Sequence, residues 1–319
     1  MYRAELVARH AGLRLDREIA PSVDQPSPRF RLLDGQVFAL DQTLTAIASR
    51  KVRLSPGARI LNGTRDLSLI VAADQADLVV IAAEEFRLPV PEAQAACLIR
   101  GGFLGGPVLG GPVLGGAVLV AAQGERVLVI DADVGQVLDE VELDRLGYLS
   151  AIRHPAAPAA VVTAGQGQDG SRVYAVAEAG GRLSVTDLAE DVLGASFNPS
   201  GTRLLVTPHP TFASTLRVLR WPDGELLHAA NASDLGLTGE SFGVCGCYLD
   251  DDLVLAMTKA GRIVALDGQL GLRGEIGLAP DGRGPDFMIG LSAKEFAVQT
   301  WLDGAASASV WRLPPSLAS

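Results

Sequence analysis

The chain has few cysteines, little basic charge and few aromatic side chains. Its 319 residues include 3 cysteines, and the formal net charge is −10 at pH 7. Because Cys97, Cys245 and Cys247 are too few to form a disulfide scaffold for this length, we interpret them as small buried apolar residues. The acidic balance argues against a nucleic-acid-binding protein and against docking on anionic lipid, since both surfaces attract basic faces.

The chain also has no recognisable targeting or membrane-spanning segment. Its start, "MYRAELVARHAG", has scattered charges and no apolar core, so we expect no signal peptide and a cytoplasmic location. A charge-free stretch between Arg100 and Glu125 is long enough to span a bilayer. Its many glycines and two prolines disfavour a membrane helix. For its five-residue repeat over 104–118 we expect a turn, a short buried strand and a second turn.

What the chain does contain is a regular series of short alternating apolar runs. The last apolar residue of each run, here called a mark, recurs seven times: Leu40, Ala83, Ile130, Val176, Trp221, Leu266 and Trp311. Successive marks are 43, 47, 46, 45, 45 and 45 residues apart. A period in this range is typical of the four-stranded blades of β-propellers.

The other strands of each unit can be placed around the marks. Second apolar runs lie upstream of five marks, at 117–122, 159–164, 203–207, 253–257 and 296–300. Outer runs such as "QVLDEVEL" and "RLSVTDL" follow the marks, so each unit reads as an inner, a second, a third and an outer strand. Seven units predict one all-β domain over residues 1–319, a seven-bladed β-propeller. A pair of β-sandwich domains stays open as an alternative, although it gives no reason for one period throughout.

The residues at and directly after the marks are similar to those of known propeller repeats. Two marks are tryptophans, Trp221 and Trp311, and three others form apolar-Asp pairs: Leu40-Asp41, Ile130-Asp131 and Leu266-Asp267. The unit resembles the WD40 and YVTN-type propeller repeats, whose third strand ends in such a pair, although no complete Trp-Asp pair is present. The resemblance implies a propeller that presents loops to partners and packs Trp221 and Trp311 between blades.

The last unit needs a strand from elsewhere in the chain. The chain ends at "RLPPSLAS", soon after the seventh mark, where Pro314 and Pro315 cannot donate ladder hydrogen bonds. We therefore expect a segment within Tyr2–Val7 to supply the outer strand of the last blade and cover its open edge. The alternative is an amphipathic helix, because Leu6, His10 and Leu13 recur at helical spacing.

Four acids stand just ahead of successive inner strands and form the best candidate site. They are 47, 49 and 46 residues apart: Asp144, Asp191, Glu240 and Asp286. The loops that lead into inner strands open on one face of a propeller, so these carboxylates would ring one mouth of its channel. Oxygen ligands suit Ca²⁺ or Mg²⁺, and a negative mouth would attract a cationic ligand. The plainer interpretation is a set of solvated acids in exposed loops.

Other candidates are weaker, and no catalytic motif is present in the sequence. We expect Trp301, in the loop "TWLDGAAS", to be an exposed partner contact. We expect Asp41, Asp131 and Asp267 to accept hydrogen bonds from turn N–H groups. The sequence therefore predicts a monomeric, non-catalytic interaction module for a protein or small-molecule ligand. The alternative is a propeller lyase or hydrolase with a divalent cation at the axis.

Overall fold

The computed structural model describes residues 1–15, 29–100, 117–122, 126–144, 147–211, 214–278, 284–302 and 305–317. These residues form 28 strands and two short 3₁₀ helices, Gly167–Asp169 and Ser233–Leu235. In this part of the chain no helix is long and apolar enough to cross a membrane. The protein is therefore all-β, as the alternating apolar runs predict.

The strands have the following bounds in chain order: β1 (Tyr2–Arg3), β2 (Glu5–Ala11), β3 (Arg29–Leu33), β4 (Gln36–Leu40), β5 (Ala46–Lys51), β6 (Arg59–Gly63), β7 (Ile70–Asp74), β8 (Asp77–Ile81), β9 (Glu85–Leu88), β10 (Ala93–Arg100), β11 (Ala117–Ala122), β12 (Arg126–Asp131), β13 (Gln136–Glu142), β14 (Tyr148–Arg153), β15 (Ala159–Gly165), β16 (Ser171–Ala179), β17 (Arg182–Glu190), β18 (Val192–Phe197), β19 (Arg203–Pro208), β20 (Thr215–Arg220), β21 (Leu226–Asn231), β22 (Phe242–Tyr248), β23 (Leu253–Thr258), β24 (Ile263–Asp267), β25 (Leu272–Gly277), β26 (Phe287–Gly290), β27 (Glu295–Leu302) and β28 (Ala305–Arg312). The predicted second strands are β11, β15, β19, β23 and β27.

The strands form seven sheets, lettered A to G here in chain order. Sheet A is β3–β5, sheet B is β6–β9, sheet C is β10–β13, sheet D is β14–β17 and sheet E is β18–β21. Sheet F is β22–β25 with β1 added at its outer edge, and sheet G is β26–β28 with β2 added. Apart from the parallel pair β1–β25, neighbouring strands are antiparallel.

The third strands are buried on both faces, which shows that the sheets stack face to face. In β12, Val127 to Ile130 are all buried, whereas the outer strand β13 of the same sheet is exposed at most positions. A continuous apolar run suits a strand covered on both sides, and a mixed run suits an edge. Stacked small sheets with exposed outer edges are the architecture of a β-propeller.

Seven apolar clusters hold the sheets together, and each cluster joins two neighbours. The clusters join A to B, B to C, C to D, D to E, E to F and F to G. The remaining cluster places Leu40 of sheet A against Ala297 and Val310 of sheet G. The row of sheets therefore closes on itself.

The number of complete blades differs from the prediction. Six sheets have four or more strands, whereas the sequence predicts seven such blades, and sheet A has three strands in the described residues. Its mark, Leu40, ends β4, so β4 takes the place of a third strand and β3 that of a second strand. The strand that sheet A lacks among the described residues is therefore the inner one. An inner strand would precede Arg29, and residues 16–28 lie outside the described residues.

The N-terminal segment completes the last sheet, as predicted. Strand β2 pairs antiparallel with β28, with Leu6 opposite Trp311, so the helical alternative is wrong. The strand lies later than the predicted range Tyr2–Val7, because Tyr2 and Arg3 pair with β25 of sheet F instead. The first eleven residues thus cover two exposed edges and tie sheets F and G together.

Several smaller predictions can be compared with the described residues. All three cysteines are free and buried, which confirms their interpretation as apolar residues. Carboxylate oxygens of the turn acids accept backbone N–H groups, as in the 2.8 Å bond from Thr43 to Asp41, and this confirms the role predicted for Asp41, Asp131 and Asp267. The Gly-Pro repeat lies mostly at 101–116, outside the described residues, so its predicted turn-strand-turn is not described.

Candidate functional site

The first strands of neighbouring sheets lie beside one another and line the axis of the ring. Strand β10 contacts β6 and β14, and β22 contacts β18 and β26. These inner strands all run from one end of the channel to the other. We call the end where they begin the acid end, since the four predicted acids precede them. We call the end where they finish the arginine end, because β10 and β14 finish in Arg100 and Arg153.

Asp144, at the acid end, is highly exposed but has an arginine within reach. Its Oδ2 lies 3.9 Å from Nη1 of Arg172, the second residue of the third strand β16, and the Asp144 side chain is 84% exposed. Arg172 is also paired with Asp187 at 2.9 Å and with Glu190, both on the outer strand of sheet D. One arginine thus links the loop that enters sheet D to that sheet's outer strand.

Glu240 repeats this arrangement in sheet F. Its Oε1 lies 3.4 Å from Nη1 of Arg262, which precedes the third strand β24. Arg262 donates two further hydrogen bonds to Glu275 on the outer strand, at 3.0 and 2.7 Å. The Arg262 guanidinium holds the pKa of the Glu275 carboxyl below its ordinary value. Glu240 therefore belongs to a three-residue ion network inside its own sheet.

The other two predicted acids have mainly backbone roles. Asp286 accepts a hydrogen bond from the Trp301 N–H at 3.2 Å. Asp191 is the single residue between β17 and β18, with φ of 56°, and its carbonyl accepts the His209 N–H at 3.2 Å. The Trp301 ring, predicted to be an exposed contact, is half-buried and has the Arg14 guanidinium 5.1 Å from its centroid.

The four acids do not form the predicted ring of metal ligands. Among the described residues, no three His, Cys, Asp or Glu side chains are grouped closely enough to hold a metal ion. Asp144 and Glu240 instead each lie close to an arginine of the sheet that follows them, and Asp286 accepts a backbone N–H of its sheet. The arginines near these acids were not predicted from the sequence. A pattern that could have identified them is the arginine that stands four residues before each of four marks. These arginines are 46, 45 and 45 residues apart: Arg126, Arg172, Arg217 and Arg262.

At the arginine end, Arg29 begins β3 and reaches the inner strand of sheet G. Its Nη2 donates to the Gly290 carbonyl, at the end of β26, at 2.9 Å. Burial lowers the pKa of the guanidinium to about 10, against the smaller opposing effect of Cys247. The hydrogen bond to Gly290 thus joins the start of β3 to the inner strand of the neighbouring sheet.

His154 organises the hairpin turns at the same end. Its Nδ1 accepts the Ala156 and Ala157 N–H groups, at 3.1 and 2.7 Å, so Nε2 carries the proton and donates to the Gly201 carbonyl at 2.9 Å. The ring packs against Phe197 and Trp221, with centroids 4.9 and 5.3 Å away. Burial lowers the pKa of His154, so the ring is neutral.

The two tryptophans at marks pack as the resemblance implies. Trp311 is 3% exposed, lies in the cluster between sheets F and G, and its Nε1 donates to the Ser309 hydroxyl at 2.9 Å. Trp221 is half-buried and packs against the cluster between sheets D and E, with the Phe197 ring centroid 5.0 Å away. Both rings therefore contribute to contacts between sheets.

Comparison with known proteins shows the fold. No family model matches the sequence, and no curated protein matches it. Among solved structures the chain is similar to BBS1N, crystallised in complex with ARL6DN and soaked with mercury. The identity is 11%, the TM-score is 0.60, and the match covers 98% of this chain and 97% of that chain. Since 1321 solved chains match, the likeness selects no function, and the chain is similar to known proteins as a β-propeller.

Proposed function

We propose that this chain is a monomeric, cytoplasmic β-propeller of seven WD40-like blades that binds a protein or small-molecule ligand at the acid end of its channel, without catalysis. In this proposal sheet A is the seventh blade. The apolar clusters on both of its faces support that place, because they join it to sheet B on one side and to sheet G on the other.

The observation that carries the proposal is an exposed aromatic residue at the acid end. Tyr148 is the first residue of the inner strand β14 and is 66% exposed. The exposed Asp144 stands four residues before it, and Val244 of the inner strand β22 is 40% exposed. Aromatic side chains supply much of the binding energy in protein interfaces. An exposed tyrosine at the start of an inner strand therefore suits the contact surface of a partner.

The ion pairs at the acid end support the same role. Arg172 and Arg262 lie within 3.9 and 3.4 Å of Asp144 and Glu240 and also pair with acids on the outer strands. Side chains that are already paired lose less conformational freedom when a partner binds, which favours affinity. The similar protein BBS1N was crystallised with a protein, ARL6DN, and this is the reason to test protein partners before small molecules.

The test is capture of partners with chemical cross-linking and mass spectrometry, using the full chain and two single variants. Tyr148→Ala removes the proposed contact. Leu226→Ala is the matched control, since Leu226 is 54% exposed but begins the outer strand β21. Thermal shift with a metabolite library covers small ligands. We expect Tyr148→Ala to lose a partner or ligand that Leu226→Ala retains. A partner set that is unchanged by Tyr148→Ala would contradict the proposal.

A further inference from the structure

The outer strand of sheet B has a more regular edge than the outer strands of the other sheets. In sheets A, C, D, E, F and G, the outer strand pairs with its neighbour through a register shift, as at a β-bulge. In sheet B, β9 pairs with β8 at four successive residues without a shift, and among the described residues no further strand pairs with β9. Bulges protect strand edges from pairing with other chains. The edge of β9 is therefore the one best suited to accept another strand.

Exposed apolar side chains stand beside this edge, on sheet C. Val134, in the turn between β12 and β13, is 60% exposed, and Val137 of β13 is 38% exposed. Val137 is opposite Ile130, which belongs to the cluster between sheets B and C, so the Val137 side chain lies on the face towards sheet B. From β9, the half-buried Phe86 packs on the same turn, because a Cβ atom added to Gly135 would lie 2.9 Å from the Phe86 Cβ. We call this apolar surface between the outer edges of the two sheets the B–C groove.

The charged side chains along the B–C groove are mostly acidic. Four carboxylates lie in its two turns and on the same face of β13: Glu84, Asp133, Glu140 and Glu142. Arg126, on that face of sheet C, is already paired with Glu140 at 3.1 Å. Arg87 of β9 lies on the other face of sheet B, where it is paired with Asp74 and Glu85. The groove thus combines an apolar floor with a negative wall, which favours a basic partner.

The molecule itself shows that an outer edge can accept an additional strand. In sheet F, β1 pairs in parallel with β25, and Tyr2 is opposite Ile276. Gly274 of β25 makes room for this strand, since a Cβ atom there would lie 2.6 Å from the Tyr2 ring. The space beside an outer strand of this propeller is therefore wide enough for one more strand.

We propose that the B–C groove binds an extended segment of a protein partner that carries both apolar and basic side chains. The segment would add to the edge of β9 as a further strand, with backbone hydrogen bonds supplying affinity and side chains supplying specificity. Every second side chain of a strand lies on one face. On the face towards sheet C, an apolar side chain would cover Val137 and a basic side chain would reach Glu140. This surface is independent of the proposed contact at Tyr148, which belongs to sheet D.

The test is binding of a fluorescent peptide, Lys-Lys-Val-Val-Lys-Lys-Val-Val, to the full chain, measured by anisotropy at low salt. In this sequence each face of an extended strand carries both lysine and valine. The comparison peptide has glutamate in place of lysine. We expect the lysine peptide to bind at least about tenfold more tightly, because the groove is acidic. We also expect slower hydrogen exchange over 82–90 in the complex, since the amides of β9 become paired.

Variants of the chain test the apolar part of the groove. We expect the double variant Val134→Thr, Val137→Thr to bind the lysine peptide about tenfold more weakly, because two apolar contacts are lost. Leu272→Thr is the matched control, since Leu272 is 40% exposed and begins the outer strand β25 of sheet F. It should bind as the natural chain does.

Several results would overturn the proposal. These are no binding at millimolar lysine peptide, equal binding of the two peptides, equal binding by the double variant, or slower exchange confined to other strands. Sedimentation of the chain alone gives a further outcome. Self-association that the double variant abolishes would assign the groove to a contact between two copies of this chain.

Discussion

The two ends of the channel differ in how their charged side chains are bonded. At the acid end, Asp144 and Glu240 lie within 3.9 and 3.4 Å of arginines that belong to the same sheets. At the arginine end, the Arg29 guanidinium donates to the neutral Gly290 carbonyl, and its Nε has no hydrogen-bond partner. The comparison shows that a net charge of −10 does not tell which charged side chains the fold pairs.

The reason for the difference lies in the repeat. An arginine four residues before a mark sits at the start of a third strand, where an acid of the outer strand and an acid of the entering loop can reach it. Sheets D and F have both acids. Arg29 is outside this pattern, because it begins the second-strand position of sheet A, whose inner place has no described strand. Among the described residues, Arg29 therefore lacks the acid partners that the repeat supplies in sheets D and F.

The largest effect is expected from breaking the arginine end at His154. His154→Ala removes two hydrogen bonds to backbone N–H groups, one to the Gly201 carbonyl, and the ring contacts with Phe197 and Trp221. We expect a loss of about 3 kcal/mol in the free energy of unfolding. Urea denaturation measures it, with His228→Ala on the outer strand β21 as the control. A loss as small as that of His228→Ala would show that the hairpin does not depend on this ring.

A smaller effect is expected when His154 titrates. Burial holds its folded-state pKa below that of the unfolded chain, so the unfolded state binds the proton more readily. The stabilisation by this group is therefore fully present above the unfolded pKa of about 6.5 and is lost as the pH falls below that value. Unfolding free energies between pH 8 and pH 5 test this. His154→Gln should flatten the pH dependence in that interval, and an equally steep decrease in His154→Gln would assign it to other groups.

At the acid end a single ion pair should matter less. Arg262→Gln leaves Glu240 and Glu275 without their shared partner. Because Arg262 is 38% exposed, water screens the interaction, and we expect a loss of at most about 1 kcal/mol that shrinks at high salt. The pKa of Glu275 should rise towards its ordinary value, which NMR titration of the carboxyl would show. Stabilisation through Glu275 disappears as the pH falls through its lowered folded pKa. An unchanged Glu275 pKa in the variant would contradict the network.

The smallest effect comes from building a missing pair in sheet E. Arg217 occupies the repeat position there, but Ala229 stands opposite it where sheet D has Glu190 opposite Arg172. Ala229→Glu should add up to about 0.5 kcal/mol of stability at low salt, and the gain should vanish in high salt. Ala229→Gln is the matched neutral control. A gain of equal size in both variants would reflect side-chain packing and not charge.

Much of the fold could be predicted from the sequence, because the alternation of apolar residues within a strand depends only on residues that are close together in the chain. Alternating runs at a period near 45 residues identify third strands, and burial of Val127 to Ile130 shows why such runs are apolar throughout. The addition of the N-terminal strand β2 to sheet G could be predicted, because the last unit of the repeat has no outer strand of its own. The short pairing of Tyr2 and Arg3 with β25 could not, since two residues form no pattern.

The candidate site was harder to predict, because it depends on partners that lie far apart in sequence. The four acids were located correctly as loop residues, but their spacing gave no information about Arg172 or Arg262, which the fold brings to them. Arg29 was missed entirely. A charged residue in an apolar run looks like an edge position, and only the contact with Gly290, 261 residues away, shows that it reaches the axis.

The most direct test of the contrast between the two ends is NMR of the Arg29 and Arg262 side-chain Nε–Hε groups in the natural chain as the pH is lowered. We predict that the Arg262 signal shifts when Glu275 is protonated, because the Arg262 Nε donates to that carboxylate at 3.0 Å, while the Arg29 signal stays in place, since its guanidinium donates to the neutral Gly290 carbonyl. Equal responses from both arginines, or a response confined to Arg29, would contradict this contrast.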